Sequence, residues 1–262
     1  MRTFYTGCEL MNVSDNTSET PAAPAASWPA RTQPVAPWWH TAIVVVVIIG
    51  VSALSTVQSK AVGFSSSHFK RYAFTILWEL LLALLAWWGL RMRRTPLREI
   101  LGLRRPGIGE WARDIGVALL FWIAAVIVLA AIATVLRILH FSQQQKAVIA
   151  IAPDTFVQAC LWVVLSTTAG IVEEFVFRGY LLQQFASIRG RLWIGVAASS
   201  LLFGAAHGFE GIGGMIAITA YGAMFCVLAI FRRSLRAGMI AHAWHDSLTG
   251  IIITIAKHAH VV

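Results

Sequence analysis

Seven apolar runs divide the chain, at roughly 39–57, 72–90, 114–136, from about 156 to the acidic pair at 173–174, and then at roughly 192–207, 212–231 and 237–256. A hydrocarbon layer about 30 Å thick is crossed by about 20 helical residues. Runs of this length therefore predict an all-α fold, a polytopic membrane helix bundle. About seven transmembrane helices are expected, and the 262 residues leave room for six to eight. Composition agrees. Hydrophobic residues make up 58% of the chain, charged residues only 13%, and the mean hydropathy is +0.70, whereas a soluble domain is about one quarter charged.

The formal charge of +9 lies between the apolar runs. It reads as a topology signal rather than a nucleic-acid surface. The basic loops at 91–113, 186–191 and 232–236 fall on one side if the spans alternate, which makes that side and the N-terminus cytoplasmic. Trp38, Trp39, Trp87 and Trp88 mark span edges as interface anchors. Residues 1–36, rich in Ser, Thr, Pro and Ala, are expected to be a disordered polar tail. Residues 37–153 form N-terminal transmembrane helices, 154–257 a second helical unit, and 258–262 a short tail. Cys8, Cys160 and Cys226 form no CxxC, which indicates neither a thiolate metal site nor a disulfide framework.

Into this apolar background the stretch Ile171 to Gly179 brings Glu173, Glu174 and Arg178. A charge at the bilayer centre costs about 2.5–3.5 kcal/mol on insertion scales, so the three must pair, line a wet cavity or sit at the interface. Glu174 and Arg178 are spaced i, i+4 and can form an ion pair that braces the helix. His242 and Asp246 have the same spacing in the last run, and His207 ends the fifth. A carboxylate beside an imidazole can polarise water, and two imidazoles with a carboxylate can hold zinc. By residue chemistry alone this is an intramembrane polar site, hydrolytic or transporting. Straight alternating spans would keep its members apart. Glu173 would sit near the cytoplasmic end, His207 about 24 Å beyond Arg191, and His242 about 9 Å past Arg236. Convergence requires 176–189 to dip back or the fifth helix to be strongly tilted.

Three short motifs narrow the choice. The segment Glu173-Glu174-Phe175-Val176-Phe177-Arg178 resembles the EExxxR motif of the CAAX-protease and bacteriocin-processing family of intramembrane endopeptidases. Phe203-Gly204-Ala205-Ala206-His207 is similar to its FxxxH motif, and His242 to Asp246 to its HxxxN or HxxxD motif. All three stand in the family's order, within about 155–250. The resemblance implies a CAAX-protease-like core over 154–257 in an integral protein of a bacterial cytoplasmic membrane. Its substrate would be a peptide or protein at the lipid bilayer. It implies Glu173 as the base that activates water, His207 as its assistant, and His242 with Asp246 holding the oxyanion, water or metal. Glu174 and Arg178 would be the structural brace. A Zn2+ ion on His207, His242 and Asp246 is the cofactor it allows, with no organic cofactor. The last position, Asp246, departs from the family's commoner Asn, keeping an oxygen but adding negative charge. A catalytically silent immunity or scaffolding protein of the same fold is the alternative, and an ion or solute transporter a further one.

Overall fold

A computed structural model describes residues 33–61, 67–102, 107–141 and 145–259. The polar tail expected at 1–36 lies almost wholly outside these residues, as do Arg104, Arg105 and the last three residues of the chain. The described residues are helical and contain no strand. The long helices are α1 (Trp38–Ala61), α2 (His68–Met92), α4 (Ile108–Ile138), α6 (Phe156–Glu173), α8 (Leu192–Ala206), α9 (Gly211–Arg232) and α10 (Arg236–His258). Short helices α3 (Leu97–Leu101), α5 (Gln145–Ile151) and α7 (Leu182–Ala186) fill three connections. A π-helical segment, Glu174–Leu181, joins α6 to α7, so 156–186 runs as one continuous rod.

All seven expected runs are helical. Five are long and apolar enough to cross a membrane: Trp38–Gln58, His68–Met92, Ile108–Ile138, Phe156–Ala186 and Gly208–Arg232. The other two differ for physical reasons. Helix α8 has 15 residues, about 22 Å, which is shorter than the hydrocarbon layer. Helix α10 has 23 residues but carries Arg236, His242, His245, Asp246, Lys257 and His258, which lower its hydropathy.

The bundle turns apolar side chains outward and polar ones inward. On α2, Phe74, Leu77, Leu81, Leu84 and Trp88 are exposed while Tyr72, Glu79, Leu82 and Ala86 are buried. The buried set, spaced seven, three and four residues apart, lies on one helical face. Buried polar groups elsewhere include His40, Asp114, Glu174, Arg178, Gln183, Gln184, Ser199, Ser200 and His242. In hydrocarbon these groups have no water to bond, so they gather where other protein groups satisfy them.

Two close approaches set the helix packing around the interior. A Cβ placed on Gly170 of α6 would lie 2.7 Å from the backbone nitrogen of Ala243 on α10. One on Gly238 of α10 would lie 2.9 Å from Oε2 of Glu174. Only glycine lets the α6 rod and α10 meet this closely, as small residues do at membrane helix contacts generally.

The continuous 156–186 rod also removes the obstacle raised by straight alternation. Glu173 is not near the end of its span. It lies 13 residues, about 20 Å, before Ala186. Helix α8 then folds back along the same rod, with Ser199 Oγ donating to the Phe177 carbonyl at 2.6 Å. Its return of about 22 Å to His207 matches the outward arm. The α9–α10 turn is recessed rather than level with this hairpin's end, because Leu235 packs beside Gly179, seven residues short of Ala186. Six residues into α10, His242 thereby reaches the level of Glu173.

Candidate active site

The centre of the site is built on the π-helical segment. Glu174 and Arg178 are both fully buried, with Nη1 of Arg178 2.9 Å from Oε1 of Glu174. The guanidinium also donates from Nη2 to the Gly222 carbonyl at 3.3 Å. It lies over the rings of Phe203 at 4.3 Å and Phe225 at 4.9 Å. An ion pair, a carbonyl and two aromatic faces together offset the loss of water around one cation. The π geometry is uncommon and recurs at functional positions.

Glu174 is more than the brace expected of it. Its Oε1 also accepts from Nδ1 of His242 at 3.2 Å. The opposite ring nitrogen of His242, Nε2, stands 3.6 Å from Oε2 of Glu173 and 3.6 Å from Oδ2 of Asp246. Thus Glu173, Glu174, Arg178, His242 and Asp246 form one connected cluster across the α6 rod and α10. His207 joins it through an aromatic bridge: the Phe203 ring is 4.9 Å from His207 and 6.1 Å from His242. Nδ1 of His207 is 2.9 Å from the Phe203 carbonyl. A carbonyl only accepts, so Nδ1 carries a proton, and in the neutral ring Nε2 keeps a lone pair.

A cavity of about 380 Å³ opens on this cluster and is lined by His207, Glu210, Tyr221, His242, His245 and Asp246, with Phe203 and Trp162. Its remaining wall is largely apolar, including Leu129 and Ala133 of α4, Ile151 of α5 and Ile218 of α9. A small set of convergent polar groups in an apolar hollow is the usual form of a binding site. Trp162 fixes one edge by donating from Nε1 to the Asp246 carbonyl at 2.8 Å.

The expected zinc set is not assembled. Among the described residues no group of three or more His, Cys, Asp and Glu side chains is placed to hold a metal ion. The reason lies in the partners of His242. Its Nδ1 is engaged by Glu174, its Nε2 faces two carboxylates at 3.6 Å, and His207 reaches it through Phe203. The Zn2+ expectation on His207, His242 and Asp246 therefore finds no ligand set here.

Two inward residues escape a reading based on sequence alone. Glu79 of α2 is buried with its Oε2 unpartnered, within electrostatic range of Glu173 and Asp246. The cost of burying a carboxylate, applied to the second apolar run, is the signal that points to it. Tyr221 of α9 lines the cavity with its hydroxyl buried and unpartnered. No sequence signal marks it, since a tyrosine in an apolar helix is ordinarily packing.

Residues 153–248 match the family model described as type II CAAX prenyl endopeptidase Rce1-like. The chain contains a Rce1-like CAAX protease domain. That domain spans α6, the π-helical segment, α7, α8, α9 and most of α10, and so all the clustered residues except Glu79. No curated protein and no solved structure matches the chain.

Proposed function

We propose that this protein is an intramembrane endopeptidase that hydrolyses a membrane-associated peptide or protein with water activated by Glu173. The observation that carries the reading is the Glu173 carboxylate 3.6 Å from Nε2 of His242, an imidazole that also faces Asp246 and lines, with it, a cavity inside a membrane bundle. Glu173 takes a proton as the water oxygen bonds to the scissile carbonyl carbon. Collapse of the tetrahedral intermediate breaks the C–N bond, and the same proton passes to the leaving nitrogen. The products are a carboxylic acid and an amine, which become carboxylate and ammonium once the acid proton passes to the amine. His207, with its free Nε2, orients or relays to the water. Glu174 and Arg178 hold the imidazole of His242 rather than touch substrate.

Purified protein is expected to cleave candidate membrane-anchored peptides, and Glu173→Ala and His207→Ala each to lose that activity by at least a hundredfold. If both variants cut as fast as the wild type, the proposal fails. Since the described residues assemble no ligand set for zinc, dialysis against a chelator should leave activity within about twofold. A complete loss restored by added Zn2+ would show that a metal is required.

A further inference from the structure

The attack on a carbonyl creates an oxyanion, which needs a hydrogen-bond donor placed beforehand in a water-poor site. Several of the cluster's polar groups are committed elsewhere. The Asp246 carboxylate, when ionised, only accepts. His242 gives Nδ1–H to Glu174, and a proton on its Nε2 faces Glu173 and Asp246. His207 spends Nδ1–H on the Phe203 carbonyl. Trp162 spends its indole N–H on the Asp246 carbonyl.

Tyr221 is differently placed. It is 5% exposed, lines the cavity, and its hydroxyl is buried without a hydrogen-bond partner. Its ring centroid is 4.9 Å from that of His245 and 6.1 Å from that of His242. The hydroxyl lies within electrostatic range of Asp246, Glu174, Arg178 and Glu173. The ring is wedged by Phe225 at 4.5 Å and Phe121 at 6.5 Å, so packing fixes where the phenolic oxygen sits while the O–H remains free to turn toward an acceptor. A buried donor left unsatisfied is destabilising, a penalty that a bound carbonyl oxygen would relieve.

We propose that Tyr221 is a catalytic residue of this site, donating its phenolic hydrogen bond to the oxyanion of the tetrahedral intermediate. The inference rests on the endopeptidase reading above. It assigns to α9 a role that none of the three sequence motifs contains. No atom is transferred: the O–H bond stays intact, and the bond to the oxygen shortens as negative charge develops there.

The test is Tyr221→Phe, which removes one oxygen and keeps the ring packed on Phe225 and Phe121. It uses a membrane-anchored peptide that the wild type cleaves in a Glu173-dependent way, and a phosphinic analogue of that peptide as a mimic of the tetrahedral oxyanion. The expected result is a fall in kcat of about 10²–10³-fold with KM unchanged, and weaker inhibition by the phosphinate with no loss of substrate binding. KM and the inhibition constant are read from the active fraction alone, so partial unfolding does not disguise the outcome. If Tyr221→Phe keeps its kcat and its phosphinate affinity within about threefold of the wild type, the role is overturned while the endopeptidase reading stands. A wild type that cleaves no peptide overturns both.

Discussion

Arg178 shows what a single side chain contributes in this bundle. Its charge is fully buried against Glu174 and faces one carboxylate, one carbonyl and two rings. Removing one partner of a buried pair strands the other, at about 3–5 kcal/mol. Arg178→Met should therefore lower stability by about that amount in denaturant titrations of the protein in detergent micelles. Arg178→Lys should recover only part of the loss, because an ammonium lacks the planar face that lies on Phe203 and the second fork nitrogen that reaches Gly222. Equal stability of all three proteins would show that the pair braces nothing. The i, i+4 spacing of Glu174 and Arg178 was legible in the sequence because a helix repeats locally. The third partner, His242, was not, since it lies 68 residues away.

Between elements, the contact that matters most is that of the α6 rod with α10. Gly170 and Gly238 let the two backbones approach until Glu174 meets His242. Gly170→Ala gains up to about 1 kcal/mol of helix propensity, but its methyl would stand 2.7 Å from a backbone nitrogen that cannot rotate away. Overpacking of this kind costs about 1–3 kcal/mol, so the net change should be destabilising. The thermal midpoint in detergent should drop and peptide cleavage should fall with it. An unchanged midpoint would mean that α6 and α10 are not packed this tightly. Gly50, whose surroundings within 4 Å are empty, serves as the control: its alanine variant should match or exceed the wild type.

Across the whole molecule, polar clamps hold the two ends of the bundle. At the end carrying the basic loops, Asp114 pairs with Arg232 and Arg236, and Leu235 N–H donates to the Leu101 carbonyl. At the other, Asp154 lies 2.9 Å from Nζ of Lys257 and 2.9 Å from Nε2 of His68, tying the start of α2 to the end of α10. The Lys257 hydrogen bond, aided by the charges of Lys257 and His68, holds the Asp154 carboxyl below the ordinary value of 3.8, against a smaller opposing effect of burial. A depressed carboxyl contributes stability above its unfolded value and loses it as pH falls through the folded one. The advantage of wild type over Asp154→Asn should therefore be present near pH 5 and shrink below about pH 4. The effect should be small, because the carboxylate is half exposed. A difference in unfolding midpoint that stays flat down to pH 3 would rule the clamp out.

What the sequence determined by itself is local or compositional. Apolar runs set the helices, basic loops marked their ends, and four-residue spacings placed Glu174 beside Arg178 and His242 beside Asp246. These features depend only on the 1.5 Å rise and 3.6-residue turn that every α-helix shares. The tertiary structure decided the rest. It carried the fourth run on to Ala186, returned α8 along an arm of equal length, and sank the α9–α10 turn against Gly179. It also turned Glu79 and Tyr221 inward. Each of these is a choice of which face meets which neighbour, and helical periodicity leaves that choice to contacts between residues distant in the chain.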